Sequence, residues 1–402
     1  MNRICLLENE VLEYAWGSRN FIPDLLGMTP PFKIPRAEMW MGSHKKAPSK
    51  AILDDEIIPL DLLIQKYPKD ILGVTTSDKF SGELPFLFKV LSASKPLSIQ
   101  AHPDKTQARL GFERENSKGI AIDDPKRNYR DNNHKPELIC ALTTMWALKG
   151  FRRPVETLNL FKPLHDISKR CGIDILQNQP DETGIKLFFL NLMNMDKSAA
   201  QTLVEDTVKL VSPSKDKNPA HEWVEKLNRE YPGDIGALSP LYLNLVKLNP
   251  GEAIYLPACE LHAYLSGSGL EIMANSDNVL RGGLTQKHID KTELINVLSF
   301  TPAIHEIIKR KKSKSFETHF PSMAEEFILS VIDLPDNRSV YKKDGRRSVE
   351  ILLCTEGNSE ISDVTTVDRK RLNKGMSMLI PSVVEGYSIE GKATIYKASV
   401  PL

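Results

Sequence analysis

The sequence predicts a mainly β protein with a helical insertion, and three observations support this fold class. Short apolar runs bounded by turn residues dominate residues 3–148, which favours buried strands over helices. Apolar residues recur at helical spacing between about residues 153 and 238, which predicts amphipathic helices. A phrase at residues 248–258 recurs at residues 372–382, which indicates two related β units.

The strands of the first region are predicted from runs at residues 85–91, 97–102 and 138–142. Each run is short, and turn residues stand on both sides of it, as expected for strands buried in a β scaffold. We expect residues 1–150 and 241–315 to form one β unit. The connection between its two parts, residues 151–240, would be a separate helical domain.

The helical domain is predicted from the spacing of Ala200, Leu203, Val204, Val208 and Val211, which places these side chains on one helix face. Residues 187–195 are also apolar on a helix-like face, and a third helix is expected to begin near residue 220. The polar segment 212–219 separates the last two as a loop. We expect strand structure to resume at residues 240–248.

The internal repeat consists of Leu-Asn-x-Gly followed by five residues and Pro, beginning at Leu248 and again at Leu372. The second copy has Gly386 at the position where the first has His262. Residues 316–402 are therefore predicted to form a second β unit without a metal site.

The composition excludes several classes of function. Lys and Arg number 53 against 52 Asp and Glu, for a net charge of +1, so no global field favours nucleic acid or an anionic membrane. There is no signal-peptide core and no apolar stretch near the roughly 18 residues that a membrane span needs. The five scattered cysteines form no Cys-x2-Cys pair, which favours a reducing cytoplasm. We expect a cytoplasmic monomer that acts on a small molecule.

Four polar residues are candidate ligands of one metal ion. Gln100 and His102 are two residues apart, so on a strand their side chains point to the same face. Glu137 opens the predicted strand at 138–142, and His262 follows a stretch that reads as turn, strand and bend. Two imidazoles, a carboxylate and an amide oxygen suit one Zn²⁺ per chain, with room for a water or substrate oxygen.

The phrase Gly251-x5-Pro257-x4-His262 resembles the second half of a cupin metal site, in which residues on facing strands of a jelly-roll barrel converge on one ion. This resemblance implies two cupin-like jelly-roll units plus the α-helical domain. The chain departs from the usual pattern at Cys259, where cupins have glycine.

A glycine-containing loop carries two candidate phosphate-binding cations, Arg281 and Lys287. The backbone amides of Gly282 and Gly283 could assist them, although a polar loop with ordinary surface charges has the same composition. No Gly-x4-Gly-Lys-Ser/Thr loop is present, which argues against a nucleotide cofactor.

Five motifs together resemble the type I mannose-6-phosphate isomerase family. They are YAWGS at 14–18, PFLFKVL at 85–91, LSIQAHPDK at 97–105, NNHKPE at 132–137 and SDNVLR at 276–281. The resemblance implies a zinc enzyme that interconverts mannose 6-phosphate and fructose 6-phosphate through a cis-enediol.

The resemblance also implies roles for particular residues. The zinc ligands would be Gln100, His102, Glu137 and His262, and Arg281 would be the catalytic arginine. Other residues match positions that line the family's pocket: Lys89, Ser98, Lys135, Glu271 and Lys287. Lys287 with Ser98 or Lys89 would hold the phosphate, whereas the general base stays open among Lys135, Glu271 and Asp277.

Two other functions are compatible with the metal ligands. A cupin oxygenase would hold Fe(II) with two histidines and a carboxylate, and a non-catalytic cupin would only bind a sugar. Neither explains the loop that carries Arg281 and Lys287.

Overall fold

The computed structural model describes residues 2–53, 56–212, 218–303, 306–310, 316–366 and 368–402. Up to residue 151, strands alternate with short helices. These elements are β1 Cys5–Glu8, β2 Glu10–Leu12, α1 Phe21–Leu25, β3 Glu38–Met41, β4 Lys50–Leu53, β5 Glu56–Pro59, α2 Leu60–Lys66, α3 Pro68–Leu72, α4 Val74–Lys79, β6 Phe86–Ala93, β7 Ile99–Ala101, α5 Lys105–Ser117, β8 Glu137–Ala141 and β9 Met145–Phe151.

Helices occupy the next ninety or so positions, and strands follow them to the end of the chain. The helices are α6 Pro154–Phe161, α7 His165–Cys171, α8 Ile173–Asn178, α9 Glu182–Asn194, α10 Lys197–Val211, α11 Pro219–Glu230, a 3-10 turn Ile235–Leu238 and α12 Ser239–Tyr242. The remaining elements are β10 Leu243–Leu248, β11 Glu252–Leu256, β12 His262–Ala274, β13 Leu280–Gly283, α13 Lys291–Val297, β14 Ile308–Lys309, β15 Glu317–Phe320, β16 Ile328–Leu334, β17 Val340–Asp344, β18 Glu350–Asp363, β19 Arg369–Asn373, β20 Ser377–Ile380 and β21 Gly386–Ser399.

The strands predicted in the first region are confirmed as β6, β7 and β8. The helices α1 to α5 were not predicted. Helix α5 has a capping box, in which Asp104 accepts from the Gln107 backbone and Gln107 accepts from the Asp104 backbone. Only Ala108, Gly111 and Glu115 of this helix are buried, so its apolar periodicity is too weak to predict it.

The predicted helices of the insertion are confirmed as α9, α10 and α11. The side chains of Asp181, Asp196 and Asn218 each accept a hydrogen bond from the first turn of the helix they cap. Of the predicted polar loop, residues 213–217 lie outside the described residues. The strand expected from residue 240 begins at Leu243 instead, because Pro240 sits in the first turn of α12, where its missing N–H costs nothing.

The strands form two sheets among the described residues, one of 10 and one of 11 strands. All of their paired strands are antiparallel. The 10-stranded sheet contains β15 to β21 together with β1, β4 and β5. Residues 1–150 therefore contribute to both sheets. The division of the chain at residues 150, 240 and 315 stays a prediction.

Strand β8 is apolar at nearly every position because both of its faces are covered. Leu138 and Cys140 pack in the core between the two sheets, whereas Ile139 and Ala141 pack in a second core with Tyr264. A strand that is covered on both faces reads as a continuous apolar run rather than an alternating one. The only charged residue of the strand is Glu137 at its start.

The internal repeat corresponds to equivalent turns and strands in the two β units. Gly251 and Gly375 both have a positive φ, 83° and 85°, which glycine adopts without steric cost. The strands that begin at the equivalent positions His262 and Gly386 are β12 and β21, which are both long. The two units therefore share local geometry beyond the phrase that predicted them.

Strand β12 pairs with four other strands because it bends within its length. Its first residues pair with β7 and β9, and its last residues pair with β6 and β8. Gly267 lies at the bend with a φ of 106°. A Cβ there would lie 2.5 Å from the carbonyl oxygen of Thr144 and 2.7 Å from Cα of Met145.

Among the described residues, no helix is both long enough and apolar enough to cross a bilayer.

We predict that Gly267→Ala destabilises the protein, because backbone atoms block the added methyl and cannot move aside. Gly119→Ala is the matched control, since Gly119 also has a positive φ, 69°, but no atom lies within 4 Å of the position that an added methyl would take. The control should lose about 1–2 kcal/mol of unfolding free energy, and Gly267→Ala should lose more. Urea unfolding measures both, and equal losses would contradict the steric explanation.

Candidate metal centre and active site

Three side chains with metal-ligand atoms converge where β7 ends and where β8 and β12 begin. Nε2 of His102 lies 3.2 Å from Oε1 of Glu137, and Nε2 of His262 lies 3.4 Å from its Oε2. Among the described residues, these three form the one group of His, Cys, Asp or Glu whose ligand atoms all lie within 4.8 Å of one another. Each residue is 1% exposed. The predicted convergence of distant residues is therefore present in the folded chain.

The hydrogen bonds of the two imidazoles leave both Nε2 atoms on the side of Glu137. Nδ1 of His102 donates to the backbone carbonyl of Asn278 at 2.6 Å, and Nδ1 of His262 donates to that of Glu260 at 3.0 Å. Because a carbonyl can only accept, each neutral ring carries its proton on Nδ1 and leaves Nε2 as a base. Both Nε2 atoms are buried without a hydrogen-bond partner among the described residues. This arrangement fits a metal ion between them.

The carboxylate of Glu137 is ionised although it is buried. Burial alone would raise the pKa of Glu137, but Lys135 and His102 hold it well below its usual range. Nζ of Lys135 lies 3.0 Å from Oε1 of Glu137, and the hydroxyl of Tyr264 donates to Oε2 at 3.3 Å. Burial, aided by the charge of Lys135, lowers the pKa of His102 to about 4. The ring is therefore neutral at pH 7, as metal binding requires.

A row of cross-strand neighbours brings Gln100 and Arg281 to the same face as His262. In the strand register, Gln100 on β7 is opposite His262 on β12 and opposite Arg281 on β13. Residues directly opposite each other in an antiparallel pair share a face of the sheet. Lys149 on β9 continues the row on the other side of His262. Gln100 is half-buried and lies beside the three clustered residues.

Asn278 holds the loop before Glu137 against the segment that leads to Arg281. Its side chain accepts from the backbone N–H of Arg130 at 2.7 Å and donates to the carbonyls of Asp131 and Asn133 at 2.9 and 2.8 Å. Its own carbonyl is the acceptor that orients His102. Asn278 is 0% exposed, so these bonds have no competition from water.

Lys89 is surrounded by acceptors of this chain. Its Nζ lies 2.8 Å from Oε2 of Glu271 and 3.7 Å from Oε1 of Glu38, and it stands over the ring of Trp40. Burial disfavours its charge, but the two carboxylates raise the pKa of Lys89 overall. Burial also raises the pKa of Glu271. The charge of Lys89 opposes this rise, whereas the charge of Glu137 adds to it. The predicted contact of Lys89 with a substrate phosphate stays a prediction.

Asp277 is paired with two basic residues, Lys46 and His44. Its Oδ2 lies 2.9 Å from Nζ of Lys46 and 3.6 Å from Nε2 of His44. Although burial would raise it, these two partners hold the pKa of Asp277 well below the usual range. A carboxylate so stabilised as an anion is a weak proton acceptor at neutral pH.

Three cations on and around β13, Arg281, Lys287 and Arg130, lie close enough to influence one another. Burial lowers the pKa of Arg281, and the charge of Arg130 lowers it further. Burial likewise lowers the pKa of Lys287, with contributions from Arg281 and Arg130. Ser98 is half-buried immediately before β7 and is two residues from Gln100. Concentrated positive charge of this kind attracts an anionic group.

Known proteins match this chain over most of its length. The family described as phosphomannose isomerase type I, catalytic domain, matches residues 4–154. The mannose-6-phosphate isomerase of Escherichia coli (strain K12) is 40% identical over 362 residues, which cover 88% of this chain and 89% of the relative. The chain belongs to the type I phosphomannose isomerase family. The human mannose-6-phosphate isomerase is also similar, at 33% identity over 406 residues, 94% of this chain and 93% of the relative.

Solved structures of the family match the whole fold. A variant of phosphomannose isomerase from Salmonella typhimurium has a TM-score of 0.91 at 36% identity, covering 99% of this chain and 100% of that one. A zinc-bound mannose 6-phosphate isomerase has a TM-score of 0.90 at the same identity and coverage. The cupin-like architecture expected from the sequence is thereby confirmed.

Several residues of the site carried no predicted role. Asn278 was part of a recognised motif, but its backbone and side-chain contacts depend on the folded loop. Tyr264 and Arg130 had no sequence signal, since a lone tyrosine or arginine is common. Cys259, where cupins have glycine, has a positive φ of 66°. The left-handed backbone explains why glycine is the usual residue there.

We predict that Asn278→Ala weakens divalent-metal binding by about 10–100-fold, because the carbonyl that orients His102 loses its support. Competition with a chromogenic chelator measures the affinity, and circular dichroism checks the fold. Asn128→Ala is the control, since Asn128 lies in the loop that Asn278 holds, but its side chain bonds to Asp290. Unchanged metal affinity in folded Asn278→Ala would show that His102 is oriented without it.

Proposed function

We propose that this protein is a zinc-dependent aldose–ketose isomerase that interconverts mannose 6-phosphate and fructose 6-phosphate. The observation that carries the proposal is the buried cluster of His102, Glu137 and His262, with two unpartnered Nε2 atoms facing one carboxylate. It occurs in a chain whose relatives are mannose-6-phosphate isomerases over nearly their full length.

We assign zinc to this cluster, with Gln100 as the fourth ligand. Neutral imidazoles and a carboxylate are common zinc ligands, and an amide oxygen completes a four-residue set. Gln100 is supported by its register opposite His262. When bound, zinc supplies Lewis-acid polarisation of the substrate's carbonyl and hydroxyl oxygens.

The isomerisation moves a proton between C1 and C2, and the chain must both accept that proton and stabilise the enediolate charge. Arg281 shares the face of Gln100 and His262, so its guanidinium is positioned to stabilise negative charge that develops on the substrate oxygens. Of the three candidate bases, Asp277 is disfavoured because His44 and Lys46 stabilise its anionic form. Lys135 and Glu271 stay as candidates, since both lie beside the metal cluster.

The substrate phosphate is assigned to the cations on and around β13. Lys287 and Arg281 were predicted for this role, and Arg130 adds a third positive charge beside them. Ser98, two residues from Gln100, could donate its hydroxyl to the same group. Lys89 is the weakest of the assigned phosphate contacts, because Glu271 and Glu38 already surround its ammonium.

We further propose that the protein acts as a cytoplasmic monomer without a nucleic-acid partner. The net charge of +1 supports the absence of a polyanionic partner. The cysteines of the chain are free, which is compatible with a reducing compartment.

Removal of zinc should abolish isomerase turnover, and stoichiometric zinc should restore it. The expectation follows because the proton at C2 is not acidic enough without Lewis-acid help. Turnover is followed by coupling fructose 6-phosphate formation to NADPH production, and zinc is quantified by atomic absorption. Full activity in zinc-free protein would refute the proposed function.

Arg281→Ala should lower kcat by about 10²–10³-fold while zinc content stays at one per chain. His262→Ala is the contrasting variant, because it should lose zinc and activity together. Steady-state kinetics and metal analysis on the same preparations separate the two effects. If Arg281→Ala lost zinc in proportion to activity, Arg281 would support the metal site instead of the reaction.

A further inference from the structure

The C-terminal β unit contains a cavity of about 390 Å³ that the isomerase reaction does not use. None of the metal-cluster residues lines it. Its charged lining consists of four basic and two acidic side chains, Lys343, Arg346, Arg347, Lys397, Glu317 and Glu350. The basic residues are therefore in excess by two.

The cavity lies at the polar end of this unit's interior. In the strand register, His319, Ser330 and Lys397 are neighbours across β15, β16 and β21, and Leu352 on β18 continues the row. Leu352 belongs to the apolar core of the unit, so the row lies on the face of the sheet that forms the interior. His319 is exposed at the other end. The cavity therefore leads from solvent toward the buried charges.

The two acidic residues are already engaged by Lys397. Its Nζ lies 2.6 Å from Oε1 of Glu317 and 3.0 Å from Oε1 of Glu350. Arg346 is exposed and donates to the hydroxyl of Thr75 at 2.7 Å. No carboxylate of the described residues forms an ion pair with Arg346. Its positive charge is thus left for another partner.

Arg347 also lines the cavity, and its side chain is only 3% exposed. Nη2 donates to the carbonyl of Pro381 at 3.3 Å, whereas Nε lies 3.7 Å from Oε2 of Glu350. Nε and Nη1 have no hydrogen-bond partner among the described residues. A buried guanidinium with unused donors is unfavourable unless an acceptor reaches it.

A network that served stability alone would need balanced charges, because each uncompensated buried charge costs free energy. Here the lining as a whole carries the positive excess, and Arg347 borders the cavity as a buried cation with unused donors. The planar donor fork of arginine matches the paired oxygens of phosphate and carboxylate groups.

We infer that this cavity of the C-terminal β unit binds a small anion that carries a phosphate or carboxylate group, held by Arg346 and Arg347. The site is separate from the one proposed for the sugar phosphate, and its existence does not depend on the isomerase activity.

Isothermal titration calorimetry with inorganic phosphate and, separately, with succinate tests the inference on the full-length zinc-loaded protein. The background variant Arg281→Ala, Lys287→Ala removes the phosphate contacts proposed for the active site. It should still bind one of the two probes, and the probe that binds identifies the group. Adding Arg347→Gln should weaken this binding by about 10-fold or more, because a charged hydrogen-bond donor is lost.

Arg346→Gln in the same background provides a second variant that does not disturb the buried network, and it should also weaken binding. Lys342→Gln is the matched control, since Lys342 is an exposed cation on β17 that does not line the cavity; it should bind like the background. Thermal melting shows which variants fold. The inference is overturned if the background binds neither probe, or if Arg346→Gln binds as tightly as Lys342→Gln.

Discussion

The buried carboxylate of Glu137 is the constraint on which the rest of the site depends. A charge that is 1% exposed is tolerated only when other groups compensate it. Here Lys135, Tyr264 and two imidazole nitrogens surround it. The low pKa of His102 keeps its ring neutral, so that it adds a ligand atom without adding charge. His102, Glu137 and His262 would hold a divalent cation, whose charge would further stabilise the buried carboxylate.

Strand β12 makes this convergence possible because it serves two sets of partners. Its beginning places His262 opposite Gln100, whose neighbour on the other side is Arg281, and its end places Glu271 opposite Lys89. The bend at Gly267 separates the two halves. Long strands that bend in this way allow a barrel to present residues from several strands at one point of its interior.

The two β units show how one scaffold supports different interiors. The first has His262 at the start of its long strand, and the second has Gly386 there, so the metal cluster occurs in the first. The second instead contains Lys397, Glu350 and Arg347 among apolar neighbours. Successive side chains of a strand point to opposite faces of the sheet. The polar groups on one face can therefore change while the apolar packing on the other face and the turns stay the same.

The sequence by itself determined the fold class, the helices α9 to α11, the strands β6 to β8 and the residue types of the metal cluster. These follow from local patterns: apolar periodicity, and ligands within a recognisable phrase. Only the tertiary structure decided that Lys89 is held by Glu271 and Glu38, that Asp277 pairs with His44 and Lys46, and that Asn278 orients His102. Each of these depends on the distance between residues far apart in the chain. The burial of a side chain and its electrostatic partners determine its protonation state and its contacts. Both exist only after the strands have paired.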